Sequence, residues 1–365
     1  MIEAWWPKHP PIYDINKSYG ENLRDGPVFD HPIPRRKVPP KNQWIDFLGH
    51  RVASRLGVPA GPLLDSKWTT LASNLGYDIL TYKTIRSKAH EAHPLPNCGY
   101  VDFLKPLNPD DIPPQVSLAS QIPDSISKIT ITNSFGMPSQ NQHVLKEDLP
   151  KALNHIQPGQ VLVVSITGTP QANSSFMEDF KRAALFAKDC GAQIIEANFS
   201  CPNVVSKEGS LYLDPKETYK IAFALTAVLK GTPLILKFGV FPNKELMREV
   251  FKAAAKAGVR AISGINTISM EVLDKNKKPA LGLSRLKSGI CGSAIFNVAL
   301  NFMEEAYQIN QQEALGLTLI GVGGVMQPGD VDLFREKGAD FVQTATGMMW
   351  DPLLALRYHQ IHESR

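Results

Sequence analysis

The stretch EANFSCPNVVSKEGS, residues 196–210, ends an apolar run in a thiol, Cys201, set between two asparagines, Asn198 and Asn203. A cysteine buried only for packing behaves as a small hydrophobe and needs no polar company. A cysteine that moves protons needs a positive field nearby and protection from water. No His or Asp adjoins Cys201 in the sequence, so a Cys–His nucleophile has no local support and a general base fits better. Two lysines could supply the field. Lys83 in TYKT and Lys237 in LILKFG each sit in an otherwise apolar run, and an ammonium buried without a partner is strongly disfavoured. Neither run carries an Asp or Glu at the matching end. That favours a bound anion as counter-charge over an internal ion pair, which stands as the alternative.

Asn133, Asn198, Asn203 and Asn266 also stand at or just past the ends of apolar runs. One such asparagine reads as a turn former. Four offer paired donors and acceptors that suit a cyclic amide or imide. GVGGV (321–325) and TATG (344–347) follow the last two apolar runs. Glycine turns bring backbone N–H groups close to an anion, so these two are candidates for a phosphate cradle, although tight turns alone also select glycine. The start of the chain has no G-x-G-x-x-G, which argues against a Rossmann dinucleotide domain.

These groups need a scaffold that gathers them. From about residue 54, short β-rich runs alternate with amphipathic segments such as SFMEDFKRAALFAKDCG and NKELMREVFKAAAKAGV. The runs fall at 55–61, 78–84, 128–134, 160–168, 192–199, 233–239, 260–267, 317–324 and 340–347. Repeated strand–helix units mean a parallel sheet. Lys83, Asn133, Asn198, Lys237, Asn266, Gly323 and Thr346 all fall at carboxyl ends of these runs. A closed (β/α)8 TIM barrel collects all such ends on one face, whereas an open sheet would strand several away from its crevice. Nine runs for eight positions leave one over. KITITNS (128–134), with a long Pro/Ser/Gln stretch behind it, is the candidate for an excursion outside the barrel. Residues 1–50 are Pro-rich and aperiodic, with Trp5, Trp6, Tyr13 and Tyr19. They read as an extended N-terminal arm with one short helix, lying on a barrel formed by residues 51–365.

With these residues in place, the sequence resembles the FMN-dependent dihydroorotate dehydrogenases, and among them the soluble class that uses a cysteine base. The family's N-x-S-C-P-N signature matches Asn198-Phe199-Ser200-Cys201-Pro202-Asn203, and its substrate loop matches Asn133-Ser134-Phe135-Gly136-Met137-Pro138. The A-G turn matches Ala60-Gly61, the K-T turn Lys83-Thr84, the flavin lysine Lys237, the N-S/T pair Asn266-Thr267 and the phosphate glycines Gly323-Gly324. The resemblance implies further flavin contacts at Asn198, Ile265, Gly292, Ser293, Ala345 and Thr346. It implies oxidation of dihydroorotate to orotate in pyrimidine biosynthesis: Cys201 takes the C5 proton while N5 of FMN takes the C6 hydride. Lys83 would lie near flavin and substrate carboxylate, Lys237 would stabilise negative charge at N1–C2, and the asparagines would hold the pyrimidine. Residues 202–214 would form the lid, with Gly209 as hinge. The lid sequence VVSKEGSLYLDP, Ser139 in place of a common Asn, and the arm depart from the family pattern. A dihydropyrimidine dehydrogenase-like reductase usually has His where Asn203 stands, and a non-catalytic flavin- or phosphate-binding barrel would not need the retained polar set.

Bulk properties narrow the setting. The chain of 365 residues has a net charge of +4, and its basic residues form no stripe with interleaved aromatics, so nucleic acid is not an expected partner. The apolar runs are too short to span a membrane and the N-terminus lacks a signal-peptide pattern. Cys98, Cys190, Cys201 and Cys291 include no C-x-x-C pair, which argues against a metal site and for a reducing cytoplasm. A homodimer is the expected assembly. Fumarate, a quinone or a partner subunit is the expected electron acceptor.

Overall fold

The computed structural model describes residues 2–103, 105–169, 175–200 and 211–363. Eight parallel strands close a barrel: β3 (Leu56–Val58), β4 (Ile79–Ile85), β8 (Val161–Ile166), β9 (Ile194–Asn198), β10 (Leu234–Phe238), β11 (Ala261–Gly264), β14 (Thr318–Val322) and β15 (Phe341–Gln343). Each neighbours the next in this order, and β15 pairs with β3 to close the ring. The helices between them are α2 (Ser66–Asn74), α3 (Gln142–Asn154), α4 (Phe176–Asp189), α5 (Pro215–Leu229), α6 (Lys244–Lys256), α7 (Phe296–Gln312) and α8 (Pro328–Glu336), with α9 (Thr346–Trp350) and α10 (Leu354–Glu363) after β15.

α6 shows how sequence sets one unit. The Asn243 side chain accepts from the Leu246 amide and starts the helix. Met247, Val250, Phe251 and Ala254 recur at helical spacing and are buried, while the lysines and glutamates face outward. Burying each of the three larger side chains stabilises the unit by about 1.5–3 kcal/mol. Gly258, at φ +85°, lets the chain turn back.

The ninth run does leave the barrel. β7 (Thr130–Asn133) joins β5 (Cys98–Tyr100), β6 (Gln115–Ser117), β12 (Ile268–Leu273) and β13 (Lys287–Gly292) in a separate five-stranded sheet, in the order β5-β7-β13-β12-β6. Two insertions build it, one after β4 and one after β11. The sequence pattern revealed β7 alone, because β5 and β6 are three residues long, β12 is half-buried and β13, KSGICG, has two glycines that break the apolar signal.

Before the barrel, α1 (Tyr19–Asp25) is the arm's helix, closed by a capping box between Ser18 and Glu21. The hairpin β1 (Ile45–Phe47)–β2 (His50–Val52) then packs Phe47, Leu48 and Val52 against Ile79, Val161, Ile194, Ile235 and Phe341, filling the barrel's lower end. Arg36 anchors the arm through a two-pronged pair with buried Asp78, at 2.7 and 2.8 Å. Further up the arm, the Trp5 amide donates to Asp351 at 3.2 Å and Trp5 stacks on Phe29.

Candidate active site

The barrel interior is layered, because every second residue of a strand faces the same side. Ile79, Val163, Ile194, Ile235, Ala261, Ile320 and Phe341 form an apolar layer above the hairpin. Two residues further along, Thr81, Ser165, Glu196, Ser263 and Gln343 form a polar layer, each at most 1% exposed. Two further still, Lys83, Asn198 and Ile265 line an open cavity at the carboxyl ends of the strands, and Lys237, two residues beyond Ile235, joins them. The five-stranded sheet adds Asn133, and the glycine turns add Gly323 and Gly324.

The structure brings most of the expected residues to this cavity. Ala60, Gly61, Thr84, Phe135, Met137, Asn266, Thr267, Gly292, Ala345 and Thr346 line it as well. Ser134, Gly136 and Ser293 do not. The Ser134 hydroxyl lies 3.1 Å from Nδ1 of His93, and that of Ser293 lies 3.0 Å from Thr130 Oγ1. Gly136 turns the loop at φ +76°. Cys201 and Asn203 lie outside the described residues.

Side-chain bonds join Asn198 and Asn266 and orient Asn133 separately. Asn266 Nδ2 donates to Ser200 O at 2.6 Å and to Asn198 Oδ1 at 3.4 Å, while Asn198 Nδ2 faces Met137 Sδ at 3.5 Å. Asn133 Nδ2 reaches Cys291 Sγ at 3.3 Å. The loop carrying Met137, whose φ is +50°, is clamped by the buried Arg86. Arg86 Nε donates to Met137 O at 2.9 Å, and its amide donates to Ser139 Oγ at 3.0 Å. Ser139, the departure noted in the sequence, is thus part of the clamp.

Lys237 is 4% exposed. Desolvation lowers its pKa, against the attraction of Glu196. Glu196 is the candidate for the internal pair held as the alternative, although no ion pair within 4.0 Å joins it to Lys237. It lies on the neighbouring strand, where pairing sets Lys237 beside Asn198 and Glu196 beside Ile235. A scan along Lys237's own strand could not find it.

Three further features escaped the sequence reading. Tyr13 and Tyr19 of the arm line the cavity and pack on Phe135 at ring distances of 5.8 and 6.2 Å. Their aromatic character signalled packing but not where. Arg86 carries no motif. Cys98 and Cys291 also line the cavity, but burial pushes the Cys291 thiol up to about 11 and that of Cys98 higher still, so neither offers a thiolate near neutral pH.

A family model described as dihydroorotate dehydrogenase matches residues 121–362. The chain belongs to the dihydroorotate dehydrogenase family. A dihydroorotate dehydrogenase of Dictyostelium discoideum is 43% identical over 362 residues, covering 97% of this chain and 98% of the relative. The dihydroorotate dehydrogenase A (fumarate) of Limosilactobacillus reuteri is 31% identical over 183 residues, 49% of this chain and 56% of the relative. The NAD-dependent dihydropyrimidine dehydrogenase subunit PreA of Escherichia coli is 30% identical over 216 residues, 57% of this chain and 50% of the relative.

Dihydroorotate dehydrogenases are flavoproteins, and the cavity fits a flavin. Gly324, at φ +73°, lies so close to α7 that an added Cβ would stand 2.5 Å from Phe296 Cα. At Gly61, φ +154°, a Cβ would meet nothing within 4 Å, so the bare glycine leaves this part of the wall open. A cation, amide donors and an apolar wall around one cavity match the anionic, imide and benzenoid parts of a flavin. Among the described residues, no group of three or more His, Cys, Asp or Glu could hold a metal, and no helix is long and apolar enough to cross a membrane.

Proposed function

We propose that this chain oxidises dihydroorotate to orotate, with FMN as its cofactor and Cys201 as general base. The observation that carries the proposal is the convergence of Lys83, Lys237, Asn133, Asn198 and Asn266 with Gly323 and Gly324 on one cavity of a family barrel. FMN supplies the hydride acceptor. The residues of the chain supply the rest. Asn133, Asn198 and Asn266 present donors and acceptors to the pyrimidine edges. Lys83 and Lys237 supply positive charge for the substrate carboxylate and for the negative charge that forms during turnover. The Cys201 thiolate takes the C5 proton, favoured by the same positive field, and Asn203 holds substrate from the lid. A lid between residues 202 and 214 would exclude water, with its described end fixed: Leu211 and Tyr212 are buried and Tyr212 Oη donates to Val240 O at 2.8 Å. Contacts of Ser134, Gly136 and Ser293 would be indirect, through the segments they shape.

Anaerobic titration of the purified, yellow protein with dihydroorotate tests the reading; the flavin absorbance is expected to bleach. A protein that binds no flavin overturns it, and bleaching by other dihydropyrimidines alone would move the assignment to that substrate class. C201A should keep the flavin and nearly abolish its reduction. Repeating the oxidation with fumarate, quinones and NAD identifies the acceptor, on which the relatives' own names differ. A cytoplasmic homodimer is the setting we propose.

A further inference from the structure

The polar layer beneath the cavity is an unusual way to fill a barrel, whose interior is mostly packed with branched apolar side chains. Gln343 Nε2 donates to Thr81 Oγ1 at 3.1 Å, and Thr84 and Ser165 share a hydroxyl pair at 3.0 Å. Three atoms of the layer are nonetheless buried without a hydrogen-bond partner: Glu196 Oε1, Ser263 Oγ and Gln343 Oε1. An orphaned buried polar group costs about 1–3 kcal/mol, and more when it is charged. A carboxylate in this position calls for a compensating role.

Lys237 supplies one. Strand pairing sets Glu196 beside Ser165 on β8 and Ile235 on β10; Lys237, two residues beyond Ile235, pairs with Asn198 and Ser263, and no ion pair within 4.0 Å joins it to Glu196. From the flanking strands β8 and β11, the groups that face the pair are the hydroxyls of Ser165 and Ser263, which do not titrate in the accessible range. Lys83 on β4 is another charged group lining the cavity, two strands away from β9, and Cys201 follows β9 outside the described residues. Burial drives both members of the pair toward their neutral forms, raising the Glu196 pKa and lowering that of Lys237, and each is opposed by the charge of the other.

We propose that Glu196 is a positioning residue for Lys237: its buried carboxylate is the internal counter-charge that holds Lys237 as an ammonium facing the cofactor cavity. The carboxylate thus offsets part of the cation's desolvation before any anion forms above it. The inference rests on the flavin reading for the second of its two readouts.

The first readout is the titration of Lys237 in the full-length protein as purified, labelled with 13C-lysine, its resonance identified by loss in K237M. E196Q is expected to move the Lys237 midpoint to lower pH by about one unit or more, a tenfold loss of proton affinity, and E196D by less. An unchanged midpoint in E196Q overturns the proposal. If E196Q does not fold, E196D decides alone, and a midpoint equal to wild type overturns it. The second readout is the flavin midpoint potential. In E196Q it should fall more steeply as pH rises through the new Lys237 midpoint, and E196Q/K237M should match K237M; additive effects overturn the coupling. A purely structural role would lower the melting temperature without moving either titration. Protein purified without flavin would end the flavin reading, while the lysine titration would still test this one.

Discussion

Asn266 donates from Nδ2 to the backbone carbonyl of Ser200 at 2.6 Å, tying the loop after β11 to the residue that precedes Cys201. The bond fixes where the chain leaves β9. It also leaves the Asn266 Oδ1 to accept from the Thr267 amide at 2.8 Å, so the side chain is oriented at both ends. N266A should lower the rate of flavin reduction by about 10- to 100-fold, the scale of losing one buried positioning hydrogen bond. Stopped-flow reduction separates this from substrate affinity. A change confined to KM would contradict the positioning role.

Arg86 should be replaceable by no other cation. Its fork reaches Met137 O, Thr169 Oγ1 and Gly136 O at 2.9, 2.7 and 3.5 Å, and a lysine cannot span that set. Without the clamp, Met137 is released from its left-handed backbone, which itself costs about 1–3 kcal/mol to hold. R86K is expected to raise the substrate KM by roughly tenfold, near 1.4 kcal/mol, while flavin content is retained. Spectral titration with orotate checks it.

Arg36 and Asp78 are 9% and 0% exposed in their side chains, so the ion pair lies in the protein interior. Removing one partner leaves a buried charge. R36A should destabilise the protein by about 3–5 kcal/mol in urea unfolding, and R36A/D78N should recover part of the loss. A change near zero would show that water reaches Asp78.

Asp65 caps α2, accepting from the Lys67 and Trp68 amides, and desolvation raises its carboxyl to about 6. The folded protein then holds a proton that the unfolded chain releases near pH 4. Stability from this group is present at low pH and is lost as pH rises through about 6. D65N keeps a capping oxygen and removes the titration. Relative to D65N, wild type should lose on the order of 2 kcal/mol between pH 4 and 7, read from melting temperatures across that range.

Strand order in the barrel was legible because a parallel strand buried on both faces is a continuous apolar run. Lys83 and Lys237 stood out for breaking such runs. The sequence showed KITITNS to be surplus, and β7 does lie in the outer sheet. What stayed hidden around the cavity shares a single cause. Glu196, Arg86 and Tyr13 act across strands or across the chain, on partners no local pattern indicates: Glu196 from the neighbouring strand, Arg86 on a loop some 50 residues away, Tyr13 over the mouth of a barrel that begins forty residues later. Glu196 in particular reads as one residue of an apolar strand until pairing sets it beside Ile235, two residues before Lys237.

The arm's docking sites have a consequence for how the molecule comes to exist. Trp5 bonds to Asp351, 346 positions away, and the Ile12 amide donates to Met349 O at 2.9 Å. During synthesis the residues around Trp5 and Ile12 must wait for those around Met349 and Asp351. Contacts of such long range are slow to form, and domains generally assemble from the N-terminus as they emerge. The arm's own docking bonds are of that long-range kind. The cavity wall formed by Tyr13 is completed only after the segment around Met349 has been made, close behind the last barrel strand, β15.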